Sequence, residues 1–167
     1  LSTAQDTQDT LALAVGSQLT SAQRAENDSE LLYFFLHMVN RYAFSASGPD
    51  GQAFIQDLVA VRTLESAMRS LWKGPGRPGF DFEAWFERLM AEQISNLNKA
   101  EYAACTELLG QGVHMFDDDF LIGRVATNLC AVIRDDDLLL RARVGKSVFE
   151  GLLKANLESH VQSALRT

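Results

Sequence analysis

Apolar residues recur at helical spacing along most of this chain. After the polar opening at 1–10, they follow one another three or four positions apart, and no segment alternates apolar and polar residues between turn signals. The pattern predicts an all-α fold with no significant sheet, arranged as a single compact bundle of about six or seven helices. We expect residues 1–10 to be a frayed segment and residues 11–167 to form one helical domain.

Polar and glycine-containing segments mark the predicted helix boundaries. NDSE at 27–30 supplies an N-cap, and Gly48-Pro49 should stop that helix near Ser47. KGPGRPG at 73–79 is the clearest connector in the chain. Together these signals predict helices over 11–19, 29–47, 54–72, 81–110, 120–134 and 138–165.

The segment SELLYFFLHMVNRYAFS, residues 29–45, lies in the most hydrophobic predicted helix. At about 100° per residue, Glu30, His37 and Arg41 fall within about 40° of one another, and Tyr33 and Asn40 lie beside them. These five residues form one narrow polar stripe, and the rest of the circumference is apolar. This helix should therefore lie near the centre of the bundle. We expect four largely buried core side chains: Phe34, Phe35, Leu36 and Trp85.

The polar stripe has three interpretations. The one we favour is the solvent-facing seam of a central helix, with Arg41 extending to water along its methylene stem. The second is an internal polar network, in which a carboxylate holds His37 and Arg41 pairs with an acid from another helix. The third is a ligand pocket, in which Arg41 binds an anion and His37 is a hydrogen-bonding or acid/base group.

The charge balance narrows the classes of partner. The chain carries 22 Asp and Glu against 15 Lys and Arg, a formal net charge of −7, and has no run of basic residues. Such a chain lacks the basic footprint that phosphate backbones and anionic membranes attract. No uninterrupted apolar segment reaches the ~18 residues of a membrane span. A protein partner or self-association is therefore favoured over nucleic acid, and a small molecule remains open.

Two aspartate triplets, at 117–119 and 135–137, precede predicted helices. Hard cations bind clustered carboxylates, but adjacent residues point in different directions and neither triplet matches a calcium loop. Free amides and the helix dipole stabilise carboxylates at a helix N-terminus, which explains both triplets. His114 lies three residues before Asp117, so these two residues are the candidate metal ligands.

The sequence contains no recognisable catalytic or cofactor-binding motif. VGKS at 144–147 lacks the preceding P-loop glycine and continues a helical pattern. No Glu-x-x-His or G-x-S-x-G occurs, and no cofactor is indicated. Cys105 and Cys130 lie in apolar segments without metal-ligand spacing, which predicts two buried thiols in a reducing compartment. We therefore expect a soluble, acidic, cytoplasmic protein.

These observations favour a helical protein-interaction or adaptor domain, because the chain offers helical surface but no catalytic motif. The alternative is a small-ligand-binding or catalytic helical domain centred on the polar stripe of the 29–47 helix. In that alternative, the site residues are Glu30, Tyr33, His37, Asn40 and Arg41.

Overall fold

Helical spacing in the sequence corresponds to helices throughout the part of the chain that the structure describes. The structure is a computed structural model, and it describes residues 2–15, 19–55, 100–135 and 137–166. These residues are mainly helical and contain no β-strand, which confirms the all-α prediction. The helices are α1 (Ser2–Val15), α2 (Ser21–Ile55), α3 (Ala100–Ala104), α4 (Leu121–Ala131), α5 (Leu138–Ala155) and α6 (Leu157–Ala164), and a 3₁₀ turn covers Gly112–His114.

Some predictions fall outside the described residues. These are the connector at 73–79, Trp85, nearly all of the predicted helix at 54–72 and the first part of the one at 81–110.

The first helix, α1, includes most of the segment that was predicted to be frayed. Thr7 and Leu11 lie one turn apart and are both fully buried. Gln8 Nε2 also donates a hydrogen bond to Asp28 Oδ1 of α2 at 2.8 Å. The hydrogen bond of Gln8 thus joins α1 to α2, and the fraying of residues 1–10 stays a prediction.

The second helix, α2, begins at Ser21, before the predicted N-cap at 27–30. Thr20 and Gln23 form a reciprocal capping box: the N–H of Gln23 donates to Thr20 Oγ1 at 3.2 Å, and the N–H of Thr20 donates to Gln23 Oε1 at 2.9 Å. The prediction of the N-cap at NDSE was wrong because this earlier T-x-x-Q signal starts the helix. Asn27 is instead a fully buried residue inside α2.

Gly48 bends α2. Its φ of 64° and ψ of −155° leave the helical region, and Pro49 follows at a position where its missing N–H costs no hydrogen bond. The predicted stop at Gly48-Pro49 is therefore a kink, after which helical structure resumes and continues to Ile55.

The described residues belong to two compact units. The first unit contains residues 2–35 and 100–157, and the second contains residues 36–55 and 158–166. The single domain over 11–167 stays a prediction.

In the first unit, α5 packs against α1 and α4, and α3 packs against α4. Gly145, inside the VGKS sequence, is buried on α5, where a Cβ would lie 2.7 Å from the ring of Phe116. This glycine is therefore needed for close packing, and VGKS continues a helix as predicted. The buried residues of α4 are Leu121, Ile122, Gly123, Val125, Ala126, Leu129 and Cys130.

The aspartate triplet at 135–137 caps α5, as predicted. Asp137 is the N-cap, and its Oδ1 accepts a hydrogen bond from the N–H of Leu140 at 2.9 Å.

The triplet at 117–119 does not cap α4, so the same prediction was wrong there. The N–H groups of Leu121 and Ile122 donate to the backbone carbonyls of residues 107 and 108, each at 3.1 Å. Those two orphan donors of the helix are thus satisfied by the loop backbone. Asp118 instead accepts hydrogen bonds from Thr127 and, at 3.1 Å, from Arg141.

The helix α4 is followed by a turn in which Arg134 has the left-handed conformation, with a φ of 57°. The N–H of Arg134 donates to the carbonyl of Ala131 at 3.0 Å, and the N–H of Asp135 donates to that of Cys130 at 3.3 Å. These two bonds define a Schellman motif, and glycine is the residue most common at its left-handed position.

Replacing Arg134 by Gly should raise the free energy of unfolding by about 1 kcal/mol, because glycine adopts the left-handed conformation without a Cβ penalty. Arg134→Ala is the control, because it removes the guanidinium and keeps the penalty. Chemical denaturation compares the three proteins. A glycine variant no more stable than the alanine variant would contradict the explanation.

The second unit contains the end of α2 and most of α6. Ala43 and Val161 are buried together, and Val39, Tyr42 and Leu165 pack against them. Near the end of the first unit, Asn156 ends α5 in the left-handed conformation that Asn tolerates.

Candidate functional site

The predicted polar stripe on α2 is mostly buried. Tyr33, His37 and Asn40 are 7%, 6% and 2% exposed, and Glu30 and Arg41 are half-buried. The favoured interpretation, a solvent-facing seam, was therefore wrong, because other side chains cover this face. Glu30 and Tyr33 belong to the first unit, and His37, Asn40 and Arg41 belong to the second.

Glu30 lies in a polar cluster that we call the Glu30 cluster: Glu30, Glu101, Tyr102 and Asn128. The hydroxyl of Tyr102, a fully buried residue of α3, donates to Glu30 Oε1. Asn128 Nδ2 of α4 donates to Glu30 Oε1 at 2.8 Å and to Glu101 Oε1 at 3.0 Å. An internal polar network thus exists at Glu30, but its members differ from the predicted His37 and Arg41.

The Glu30 cluster connects α2, α3 and α4 within the first unit. A half-buried carboxylate that accepts two hydrogen bonds from buried or half-buried donors stabilises the packing of the helices that carry them. Sequence reasoning found Glu30 but missed its partners, because Tyr102 and Asn128 lie 72 and 98 residues away along the chain.

Replacing Tyr102 by Phe should lower the free energy of unfolding by about 1.5 kcal/mol, because the ring stays buried while Glu30 loses a donor. The same change in a Glu30→Gln background is the matched control and should cost less, because the charged acceptor is gone. Denaturant unfolding of the four proteins gives the coupling. Equal losses in both backgrounds would show that the hydroxyl does not stabilise Glu30.

In the second unit, burial and the nearby Arg41 guanidinium lower the pKa of His37 to about 4. The imidazole is therefore neutral at pH 7. Asn40 lies one turn further along α2, and neither its Nδ2 nor its Oδ1 hydrogen-bonds within the described part of the chain. Buried amides are usually hydrogen-bonded, so this residue calls for an explanation.

The candidate metal ligands His114 and Asp117 do lie together. His114 Nδ1 is 2.6 Å from Asp117 Oδ2, and the two side chains are 72% and 48% exposed. Across the described ranges, however, no group of three or more His, Cys, Asp or Glu side chains could hold a metal ion. The pair is an exposed loop contact, and it is not joined there by a third ligand.

The solvent side of α5 carries a surface that the sequence reasoning missed. Leu138, Leu139 and Leu153 are 69%, 70% and 63% exposed, whereas Leu140, Val144, Val148 and Leu152 of the same helix are buried. We define the outward face of α5 as these three leucines with the exposed charged residues between and beside them, Arg143, Lys146, Glu150 and Lys154. The signal was the run of leucines at 138–140, because successive helical residues lie about 100° apart and cannot all face one core.

The charge of the outward face of α5 is opposite in sign to that of the chain. It has three basic residues and one acidic residue, whereas the whole chain has a net charge of −7. Lys146 Nζ lies 3.8 Å from Glu150 Oε1. Arg143 and Lys154 form no ion pair with any residue that the structure describes.

A cleft of about 420 Å³ lies between the N-terminus of α2 and the C-terminal turn of α4. Its walls include one acid, Glu26, and one guanidinium, Arg134, together with Gln23 of the capping box. Most of its lining residues are exposed, so it is an open surface depression.

No family model, curated protein or solved structure matches this chain. Among the described helices, none combines the length and the apolar character needed to cross a membrane.

Proposed function

We propose that this chain is a helical protein-interaction domain and that the outward face of α5 is its binding surface. The observation that carries the proposal is the exposure of Leu139 and Leu153, which lie within about 40° of each other around α5, together with the exposed Leu138 at its first position. A single exposed leucine is ordinary on a protein surface. Apolar side chains grouped on one face and rimmed by polar ones are typical of an interaction site.

The capping and packing of α5 support the same proposal. Asp137 caps its first turn, Val144 and Val148 are fully buried, and Gly145 lies against the ring of Phe116. A preformed helix loses little conformational freedom when a partner binds, so its apolar contacts contribute more fully to affinity. A cytoplasmic location accords with Cys105 and Cys130, two buried cysteines that form no disulfide.

A retention experiment tests the proposal. Wild-type protein, the Leu139→Ser/Leu153→Ser variant and the Leu13→Ser variant are immobilised, exposed to cell extract, and their bound proteins are identified by mass spectrometry. Leu13 is 83% exposed on α1 and is the matched control. We expect the same bound proteins for wild type and Leu13→Ser, and their loss from the α5 variant. Retention unaffected by the α5 substitutions would overturn the proposal.

A second candidate function, binding of a small anion at His37, Asn40 and Arg41, is favoured by one observation. Asn40 is 2% exposed, and its side chain has no hydrogen-bond partner among the described residues. A ligand that bonds Asn40 would satisfy the buried amide, and the positive charge of the neighbouring Arg41 would favour an anion there.

Thermal denaturation with a panel of small carboxylates and phosphates tests this candidate. An anion that binds the native state raises the melting temperature, and the rise should disappear in Arg41→Met. Arg24→Met, on the same helix, is the control and should keep it. The candidate fails if no anion stabilises wild type, or if the stabilisation survives in Arg41→Met.

A further inference from the structure

We propose that the partner of the outward face of α5 is an acidic amphipathic helix that lies along it. This inference rests on the proposed function and adds the chemistry of the partner.

Two exposed leucines of the face lie on one heptad-spaced stripe of α5. Leu139, Lys146 and Leu153 are seven residues apart, so they lie on one stripe within about 40° of one another around α5. Seven-residue spacing is the register of two paired helices. A partner with apolar residues seven apart can cover both leucines, and the methylene stem of Lys146 lies between them.

The charges of the face indicate that the partner's charge is negative. Arg143 and Lys154 are eleven residues apart, which places them about 20° from each other on one flank of α5. Both are exposed, and neither forms an ion pair within the described residues. Carboxylates on the matching flank of a partner helix would pair with both cations, and such flanking pairs set partner choice and orientation in paired helices.

Other occupants fit these charges less well. In a symmetric pairing of α5 with the α5 of a second copy, each face presents three cations and one anion to the same set, and like charges oppose association. An anionic membrane would attract the cations of α5 but repel a chain whose net charge is −7. Each of these occupants is an outcome of the test.

The test measures binding of two labelled synthetic helical peptides by fluorescence anisotropy. Both are about 18 residues long, to match α5, and carry Leu at every seventh position. One has Glu and the other Lys at the flanking positions. We expect the Glu peptide to bind wild-type protein at least tenfold more tightly than the Lys peptide, and less tightly as salt is added.

Variants assign this binding to the outward face of α5. Leu139→Ser/Leu153→Ser and, separately, Arg143→Glu/Lys154→Glu should each weaken binding of the Glu peptide by about tenfold or more. Leu13→Ser should bind it as wild type does. Circular dichroism checks that each variant keeps its helical content, and the charge variant, altered only at exposed residues, separates loss of binding from loss of fold.

Several outcomes would overturn the inference. These are equal binding of the two peptides, no binding of either, binding only to vesicles containing phosphatidylserine, or a dimer in sedimentation velocity that the leucine substitutions abolish. If the retention experiment nonetheless gives α5-dependent partners, the proposed function stands and only the chemistry of the partner fails. If retention does not depend on α5 but the Glu peptide still binds wild type, the proposed function fails separately.

Discussion

Replacing Phe34 by Ala is expected to lower the free energy of unfolding by about 3–5 kcal/mol. Phe34 lies on α2, its side chain is fully buried, and its ring centroid is 5.3 Å from that of Phe35. Removing a buried aromatic ring loses its transfer free energy and leaves a cavity that the surrounding helices fill only in part. Denaturant unfolding monitored by circular dichroism measures the loss.

Phe35→Ala is the matched control for this prediction. The two rings are neighbours on the same helix, but Phe35 is half-buried, so its removal exposes less apolar surface and should cost clearly less. Equal losses of unfolding free energy in the two variants would contradict the conclusion that Phe34 is more deeply buried than Phe35. A loss below about 1 kcal/mol for Phe34→Ala would show that this part of α2 is peripheral.

Acidification from pH 7 to pH 4 is expected to destabilise the protein through His37. Burial and Arg41 lower the pKa of this imidazole from 6.5 to about 4. Between these values, the unfolded chain binds a proton at His37 that the folded chain does not. The contribution of the neutral imidazole to the free energy of unfolding is therefore fully present above pH 6.5 and is lost as the pH falls toward 4. Integrated over that interval, the contribution of His37 is about 2–3 kcal/mol.

The His37→Gln variant isolates this contribution, because glutamine does not titrate. Its free energy of unfolding should fall less than that of wild type between pH 7 and pH 4, and the difference is the share of His37. Urea unfolding at several pH values gives both curves. Parallel curves for the two proteins would mean that His37 titrates alike in the folded and unfolded states.

The sequence predicted the helical class because apolar periodicity is a local signal. Burial of Phe34 and Leu36 followed from the density of apolar residues around them and was confirmed, whereas half-burial of Phe35 depends on what packs against that side of α2. The start of α2 was misassigned because two capping signals compete, and Thr20 with Gln23 satisfies both of its hydrogen bonds.

The candidate sites were less predictable because their contacts are distant in sequence. Glu30 was identified as polar on an apolar helix, but periodicity cannot indicate Tyr102 or Asn128, which come from other helices. The capping rule described the triplet at 135–137 and failed at 117–119, where loop carbonyls satisfy the amides of α4. Which side of α5 is buried depends on α1 and α4, so its outward leucines emerged only in three dimensions.

Site-specific photo-cross-linking determines whether the outward face of α5 contacts another protein in the cell. A photo-reactive amino acid replaces Lys146, at the centre of that face, or Leu13 on α1, and each protein is irradiated in the cells that produce it. We expect a discrete cross-linked protein adduct from position 146 that is absent from position 13. No adduct at position 146, or the same adduct from both positions, would contradict the assignment of this face as the binding surface.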